Sequence, residues 1–384
     1  MDADDDLHAL LRLIHAGGAA APRRALLGHP DGPAAALADG THAWYAAGLD
    51  AMQCAALIGG SNTEVTRSRA WLAAAPSRHL LGWQHPDYPA LLRKMPAPPL
   101  ALFVEGDPAR LWRAGIAVVG SRAPTAGGRD TAATFARAFA SAGFTVTSGL
   151  ASGIDAAAHA AALDAGGGTV AVLGSGIDQP YPRSNQRLHA RIVEAGTVVS
   201  EYPPGTPARR EHFPSRNRIV AGLSLGTLVV EAAQRSGALI TARLAADAGR
   251  EVFAIPGSIR NPMARGCHRL LRDGATLVES PDEVTAALGP IAAGLADALQ
   301  GRLHAPIQGA DTILNTADSS ASPEIDDVDP DYNRLWKALG HDPTGMDDLV
   351  SRSGLTVARA SAMLLSMELD GRVTSAHGRY SRKS

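Results

Sequence analysis

Between residues 115 and 288 short apolar runs alternate with helical stretches. The runs fall at 116–119, 144–147, 170–173, 198–200, 227–230, 252–255 and 276–278. Most are rich in valine and isoleucine and have little polar interruption. Continuous apolar character means strands covered on both faces, with the helices between them serving as crossovers. The pattern predicts an α/β domain built on a doubly wound parallel sheet. Such sheets hold ligands beyond the carboxyl ends of their strands, near the point where strand order reverses. The turns after each strand are therefore where chemistry is expected.

The flanks follow other patterns. Residues 1–80 are rich in alanine, and Leu7, Leu10, Leu11 and Ile14 repeat at helical spacing. This predicts a small helical domain that binds protein or DNA, or simply packs. Residues 81–112 hold Pro86, Pro89, Pro96, Pro98 and Pro99. That density predicts an extended connector leading into a short strand at 100–104. Residues 289–330 read as an acidic flexible linker with one helix at its start. Residues 331–384 predict helices at 331–339, 346–351 and 356–369, a turn at Gly354, and a closing hairpin through His377-Gly378. Helix–helix–turn–helix–wing is the winged-helix pattern. Its last helix carries Arg359 as its one base, so protein contact and DNA contact stand equal there.

Charge sharpens this division. The net charge is −2, which by itself argues for no nucleic-acid partner. Its distribution does: residues 110–285 carry 19 arginines against 14 acids, a local +5, and residues 289–330 carry one arginine against seven acids, a local −6. A basic binding domain followed by an acidic tether is implied. Lysine occurs only at 94, 337 and 383, which a GC-rich coding bias explains best. Two distant cysteines, Cys54 and Cys267, disfavour a disulfide framework or a zinc site. The acidic start, MDADDDLHALL, does not resemble a secretory signal, and no apolar run reaches the ~20 residues that span a bilayer. A cytoplasmic location is the default, with no membrane contact.

The turns carry the candidate chemistry. Gly120-Ser121-Arg122 follows the first strand of the parallel series, and its glycine lets backbone N–H groups approach an anion. Arg183 follows Tyr181-Pro182 after the third. Arg210 leads into Phe213, Arg216, Asn217 and Arg218, and Arg235 precedes Ser236-Gly237 after the fifth. Guanidinium forks on a rigid frame suit phosphate recognition, so the chain reads first as a binder of a phosphate polymer. Any one arginine is more readily structural than functional, and Arg218 is a candidate to pair with Glu231 or to cap a carbonyl. The dinucleotide fingerprint G-x-G-x-x-G is missing, which disfavours a nicotinamide cofactor; no cofactor or metal is implied. Glu201, Glu231 and Asp155 near strand ends keep a nucleotide-directed hydrolase as the alternative. No G-x-S-x-G elbow or triad order supports a catalytic serine. His159, in an alanine-rich helix, is expected to be packed.

Eight ordered segments make a resemblance specific: VVGSRAPT, SGLASGIDAAAH, VLGSGIDQPYP, SEYPPGTP, FPSRNRIVAGLS, VVEAAQRSGALITA, AIPGS and GCHRLLRDGA. With HPDYPALL, they resemble the DNA-processing protein A (DprA, or Smf) family densely over residues ~80–288. The resemblance implies an extended Rossmann-like core, a sterile-alpha-motif-like N-terminal domain and a C-terminal winged helix. It implies a non-enzymatic, homodimeric, cytoplasmic protein that binds single-stranded DNA, protects incoming strands in natural transformation and loads the RecA recombinase onto them. Carried onto this chain, the DNA contacts are Gly120, Ser121, Arg122, Arg183, Arg210, Phe213, Arg216, Asn217, Arg218 and Arg235. Arginine at 183, 210 and 235 stands where family members often have lysine. The dimer contact is placed on segment 266–277, at His268 and Leu277.

Overall fold

A computed structural model of the chain describes residues 3–59, 62–304, 330–339, 344–369, 372–376 and 379–382. The chain divides into two units, Met1–Gly289 and Pro290–Ser384. Most of the expected acidic linker lies outside the described residues. No helix among those described is long and apolar enough to cross a membrane.

The first unit is organised by nine strands: β1 (Arg78–Gly82), β2 (Ala101–Gly106), β3 (Gly115–Val119), β4 (Thr145–Ser148), β5 (Thr169–Val172), β6 (Thr197–Ser200), β7 (Gly226–Val229), β8 (Glu251–Ala254) and β9 (Thr276–Leu277). Their spatial order is β1-β2-β6-β5-β4-β3-β7-β8-β9. From β6 to β9 every pairing is parallel. The chain builds outward from β3 to β6, then returns to place β7 on the other side of β3. The reversal between β3 and β7 is the switch point of a doubly wound sheet. All seven strands expected from the apolar runs are present, in a Rossmann-like arrangement.

Successive residues of one strand feed opposite layers, as strand geometry requires. Val170 and Val172 pack in one core with Ala117, Val119, Val199, Ile219 and Val229. Ala171 and Leu173 pack in the other with Phe103, Leu150, Ile192 and Val198. Both layers being apolar explains why the strand sequences are not alternating.

The proline-rich stretch differs from the expected extended connector. β1 and β2 pair antiparallel, and β2 pairs antiparallel with β6. Between them lies a short helix, Ala90–Arg93. Tyr88 and Leu92 are fully buried, and the Tyr88 hydroxyl donates to the Pro99 carbonyl at 2.9 Å. The prolines sit at the corners, outside the ladder, where a missing N–H costs no sheet hydrogen bond. The six N-terminal helices, from Ala3–His15 to Asn62–Ala73, have their own core of Leu10, Leu13, Leu27, Trp44 and Leu57, which also takes in Leu100 of the hairpin. Trp71 packs edge-on against Phe103 of β2, with ring centroids 6.0 Å apart.

The second unit contains helices Pro330–Ala338, Met346–Ser353 and Val357–Leu369. Strands β10 (Thr344–Gly345), β11 (Val373–Ala376) and β12 (Arg379–Arg382) form a sheet of order β10-β12-β11. Gly354 ends the second of these helices in the left-handed region, φ +69°, where an L side chain would be strained. This is a winged helix. In its third helix Arg359 is ion-paired with Asp331. The expected 377–378 turn lies outside the described residues.

Candidate nucleic-acid interface

A cleft of about 670 Å³ opens at the switch point, beyond the carboxyl ends of β3, β4 and β7. Gly120, Arg122, Arg210, Phe213, Arg216, Asn217 and Arg235 all line it. Seven of the ten expected contact residues, from turns up to 115 positions apart, therefore meet in one place.

The Gly120-Ser121-Arg122 turn is fixed from behind. A β-carbon on Gly120 would lie 2.6 Å from Ile154 and 2.9 Å from the Glu231 carbonyl. Ser121 donates its N–H to that carbonyl at 2.6 Å. Its hydroxyl accepts from Ala123 N–H and faces Met263, so Ser121 shapes the turn and its side chain does not line the cleft. The Glu231 carboxylate accepts from Thr125 N–H at 2.9 Å, from the Thr125 hydroxyl at 2.7 Å and from Asn261 Nδ2 at 3.2 Å. Thr125 in turn caps the helix Ala126–Ser141 by accepting from Gly128 N–H. Arg122, freed of any structural task by this scaffold, projects as an exposed side chain. Its guanidinium lies 5.5 Å from the centre of the Phe213 ring.

The second turn, after β4, holds Leu150 at φ +56°, rare for a branched side chain and costing on the order of 1 kcal/mol. Three side chains brace it. Asp155 accepts from Gly149 N–H and Ala151 N–H at 3.1 and 3.3 Å. Asn185 donates to the Leu150 carbonyl at 3.0 Å. Arg216 donates to the Gly149 carbonyl at 2.6 Å and to the Val172 carbonyl. Burial pushes the Arg216 guanidinium down to about 10, with Asp155 opposing, so it stays charged near neutrality. Burial pushes the Asp155 carboxyl up, and Arg216 opposes that shift.

The helix His212–Gly222 distributes its polar residues by phase. At 100° per residue, 216, 217 and 218 point in three directions. Phe213 and Asn217, one turn apart, line the cleft. Arg216 turns inward beneath it and is 4% exposed. Arg218 turns away and pairs with Glu201 at 2.5 Å. Arg218 thus has the structural role open to it from the sequence, but with another partner than Glu231 or a carbonyl: Glu231 faces the Thr125 turn, and Glu201 at the end of β6 is the carboxylate within reach. Burial raises the Glu201 carboxyl and the Arg218 charge opposes it.

Around the mouth, Arg122, Arg210 and Arg235 are exposed. Tyr181, 49% exposed, packs against Phe213 with ring centroids 5.4 Å apart and the ring planes tilted by 45°. Arg183 is exposed just beyond Tyr181, outside the cleft lining. Ile240 and Thr241 also line the cleft; their one sequence signal is the Ser236-Gly237 cap that starts their helix. His268 and Leu277 lie elsewhere, near the far edge of the sheet: His268 contacts the Gly257 carbonyl at 2.9 Å, and Leu277 of β9 is 48% exposed. His159 is fully buried, its Nδ1 2.7 Å from the Thr169 hydroxyl. The carboxylates behind the hydrolase alternative are all engaged: Glu231 and Asp155 hold turn N–H groups, and Glu201 holds Arg218. Among the described residues no group of three or more His, Cys, Asp and Glu side chains could hold a metal ion.

Fold and site together define a Rossmann-like α/β protein with a winged helix and an arginine-walled cleft at its switch point. Residues 79–289 match the family described as DNA recombination-mediator protein A, and residues 319–379 match its DprA winged helix domain. The chain belongs to this DprA/Smf family. It is 39% identical to Protein Smf of Escherichia coli over 87% of this chain and 85% of that one. It is 46% identical to DNA processing protein DprA of Streptococcus pneumoniae over 52% of this chain and 70% of that one. The crystal structure of the S. pneumoniae protein superposes with a TM-score of 0.64 at 34% identity, covering 73% of this chain and 97% of that one.

Proposed function

We propose that the switch-point cleft binds single-stranded DNA, with phosphates on Arg122, Arg210 and Arg235 and a base stacked on Tyr181 or Phe213. The observation that carries this reading is the cleft itself: three exposed guanidinium groups surround an aromatic pair, while the acids beneath are committed to backbone. Arginine supplies charge that tracks a backbone, and an aromatic face accepts any base without sequence preference. A duplex keeps its bases stacked inside and cannot present the face of one to either ring. Gly120, Ser121, Asn217 and Arg216 shape this site, Arg218 anchors their helix to Glu201 from its far side, and Arg183 extends the site past Tyr181. Glu231 acts as a latch for the Arg122 turn, so no catalytic role is assigned to it.

Membership of a recombination-mediator family supports the wider role: the protein covers incoming single strands during transformation, in the cytoplasm, and passes them to RecA. It acts as a homodimer through the His268 and Leu277 edge. The residues divide into a helical domain at 1–80, the binding domain at 81–288, a linker at 289–330 and a winged helix at 331–384. The test is oligonucleotide affinity in Arg122→Ala and Arg210→Ala. Each is expected to weaken binding about tenfold or more and to flatten the salt dependence by about 0.7 in slope, with the fold intact. Unchanged affinity in both would remove the cleft as the site.

A further inference from the structure

A second groove, of about 500 Å³, lies beside the cleft. Ala156, Ala157 and Ala160, on one face of the helix Ile154–Asp164, form its floor with Leu188. Arg129 borders it from the helix Ala126–Ser141, and Arg187 and Arg191 from the helix Gln186–Ala195. All three arginines are exposed. Among the described residues neither Arg129 nor Arg187 has an ion-pair partner. Arg191 pairs with Asp164 at 2.5 Å, but both side chains are about half exposed, so the pair is weak and open to exchange.

Two short segments of chain join residues that line the groove to residues that line the cleft. Ala151 lines the cleft and Gly153 lines the groove; Tyr181 lines the cleft and Ser184 the groove. Gly153, at φ +89°, lies so close to the Arg122 turn that a β-carbon there would be 2.3 Å from the Ser121 carbonyl. Arg183 sits on the ridge between Tyr181 and Ser184, exposed.

We infer that this groove is a second track for the same strand, taking the single-stranded DNA backbone as it leaves the cleft past Arg183. The inference rests on the cleft being the primary site. Three arguments favour a nucleic-acid strand over a protein segment. Its cations are all guanidinium, the fork that matches phosphate. Arg187 and Arg191 are one helical turn, about 6 Å, apart along the helix, so they form a row that a backbone can follow. The alanine floor leaves room for flat sugar and base surfaces between two basic walls, whereas a docked helix would need larger apolar side chains to grip. Charge complementarity and the segments shared with the cleft's own turns thus point to one occupant.

The experiment compares an oligothymidylate of about six nucleotides with one of about twenty, by fluorescence anisotropy across a salt series. The proteins are the full chain, the Arg129→Ala/Arg187→Ala/Arg191→Ala variant and Arg122→Ala. The triple variant is expected to bind the short oligonucleotide as the parent does. It should bind the long one on the order of tenfold more weakly, with the salt slope reduced by about 2, the value for three single-strand phosphate contacts. Unchanged long-strand affinity overturns the second track, and so does an equal loss at both lengths. A shift in oligomeric state with no length dependence makes the groove a contact between copies and also overturns it. The primary site is judged separately: Arg122→Ala must weaken the short oligonucleotide. If it does not, or if the parent chain binds neither length, both readings fall.

Discussion

Arg216 lies in the cleft lining but turns inward beside the cleft-facing Asn217, and its replacement separates a structural pin from a DNA contact. The guanidinium is 4% exposed and donates to the Gly149 and Val172 carbonyls at the ends of β4 and β5. Arg216→Ala leaves both acceptors without that donor, about 1–3 kcal/mol for each buried group. It also removes the charge that compensates Asp155. Losing one partner of a buried charge pair costs about 3–5 kcal/mol. Asp155 can escape part of this by taking up a proton, so the two contributions do not simply add. The expected loss is about 3–5 kcal/mol, a large share of a typical domain's stability. Urea unfolding followed by circular dichroism reads it as a fall in midpoint at unchanged slope. Asp155→Asn added to Arg216→Ala is expected to restore at least about 1 kcal/mol, because the uncompensated carboxylate is gone. A midpoint within about 0.5 kcal/mol of the parent, combined with lost oligonucleotide affinity, would refute the pin and make Arg216 a direct contact.

Gly153→Ala places a β-carbon 2.3 Å from the Ser121 carbonyl at φ +89°; a loss of at least about 2 kcal/mol is expected in the same unfolding assay, and a neutral result would mean that the Arg122 turn is soft. Arg218→Ala leaves Glu201 without its ion pair and is expected to destabilise by about 3 kcal/mol while sparing oligonucleotide affinity per folded molecule. Glu231→Gln is expected to loosen the Thr125 turn and weaken binding severalfold, and incubation with nucleotides should give no free base in parent or variant; base release by the parent chain would revive the hydrolase reading. His159, pushed down to about 3 by burial, is neutral in the fold but takes up a proton below about 6.5 when unfolded. The unfolded state then binds more protons between those values, so stability falls as pH drops through the window. Asp155 and Glu201, raised by burial, act in the opposite sense where they titrate. The comparison is therefore His159→Gln against the parent, where the variant's pH dependence between about 6.5 and 4 should be shallower; identical profiles would contradict it.

The parallel strands were legible because each is an apolar run buried on two faces, and periodicity reports burial directly. β1 was not: Arg78-His79-Leu80-Leu81-Gly82 has no β-branched residue, and its strand character comes from pairing with β2, a tertiary effect. The cleft was legible as a set of turns because strand order confines ligands to one end of the sheet, and seven of the ten expected residues meet there. What each arginine does was not. Arg216 and Arg218 differ only in helical phase, and phase matters only once the helix His212–Gly222 is docked. Arg216 then faces strand-end carbonyls and Arg218 faces Glu201. Likewise nothing in the sequence distinguishes Arg129, Arg187 and Arg191 from a solvated helix face until their helices flank one alanine floor.

The most direct test of the central claim is anisotropy titration of a labelled single-stranded oligonucleotide beside its duplex, across a salt series, with the parent chain and Arg122→Ala. Salt-sensitive binding that favours the single strand and weakens about tenfold in the variant is expected. Equal affinity for duplex and single strand, or a variant that binds like the parent, would contradict it.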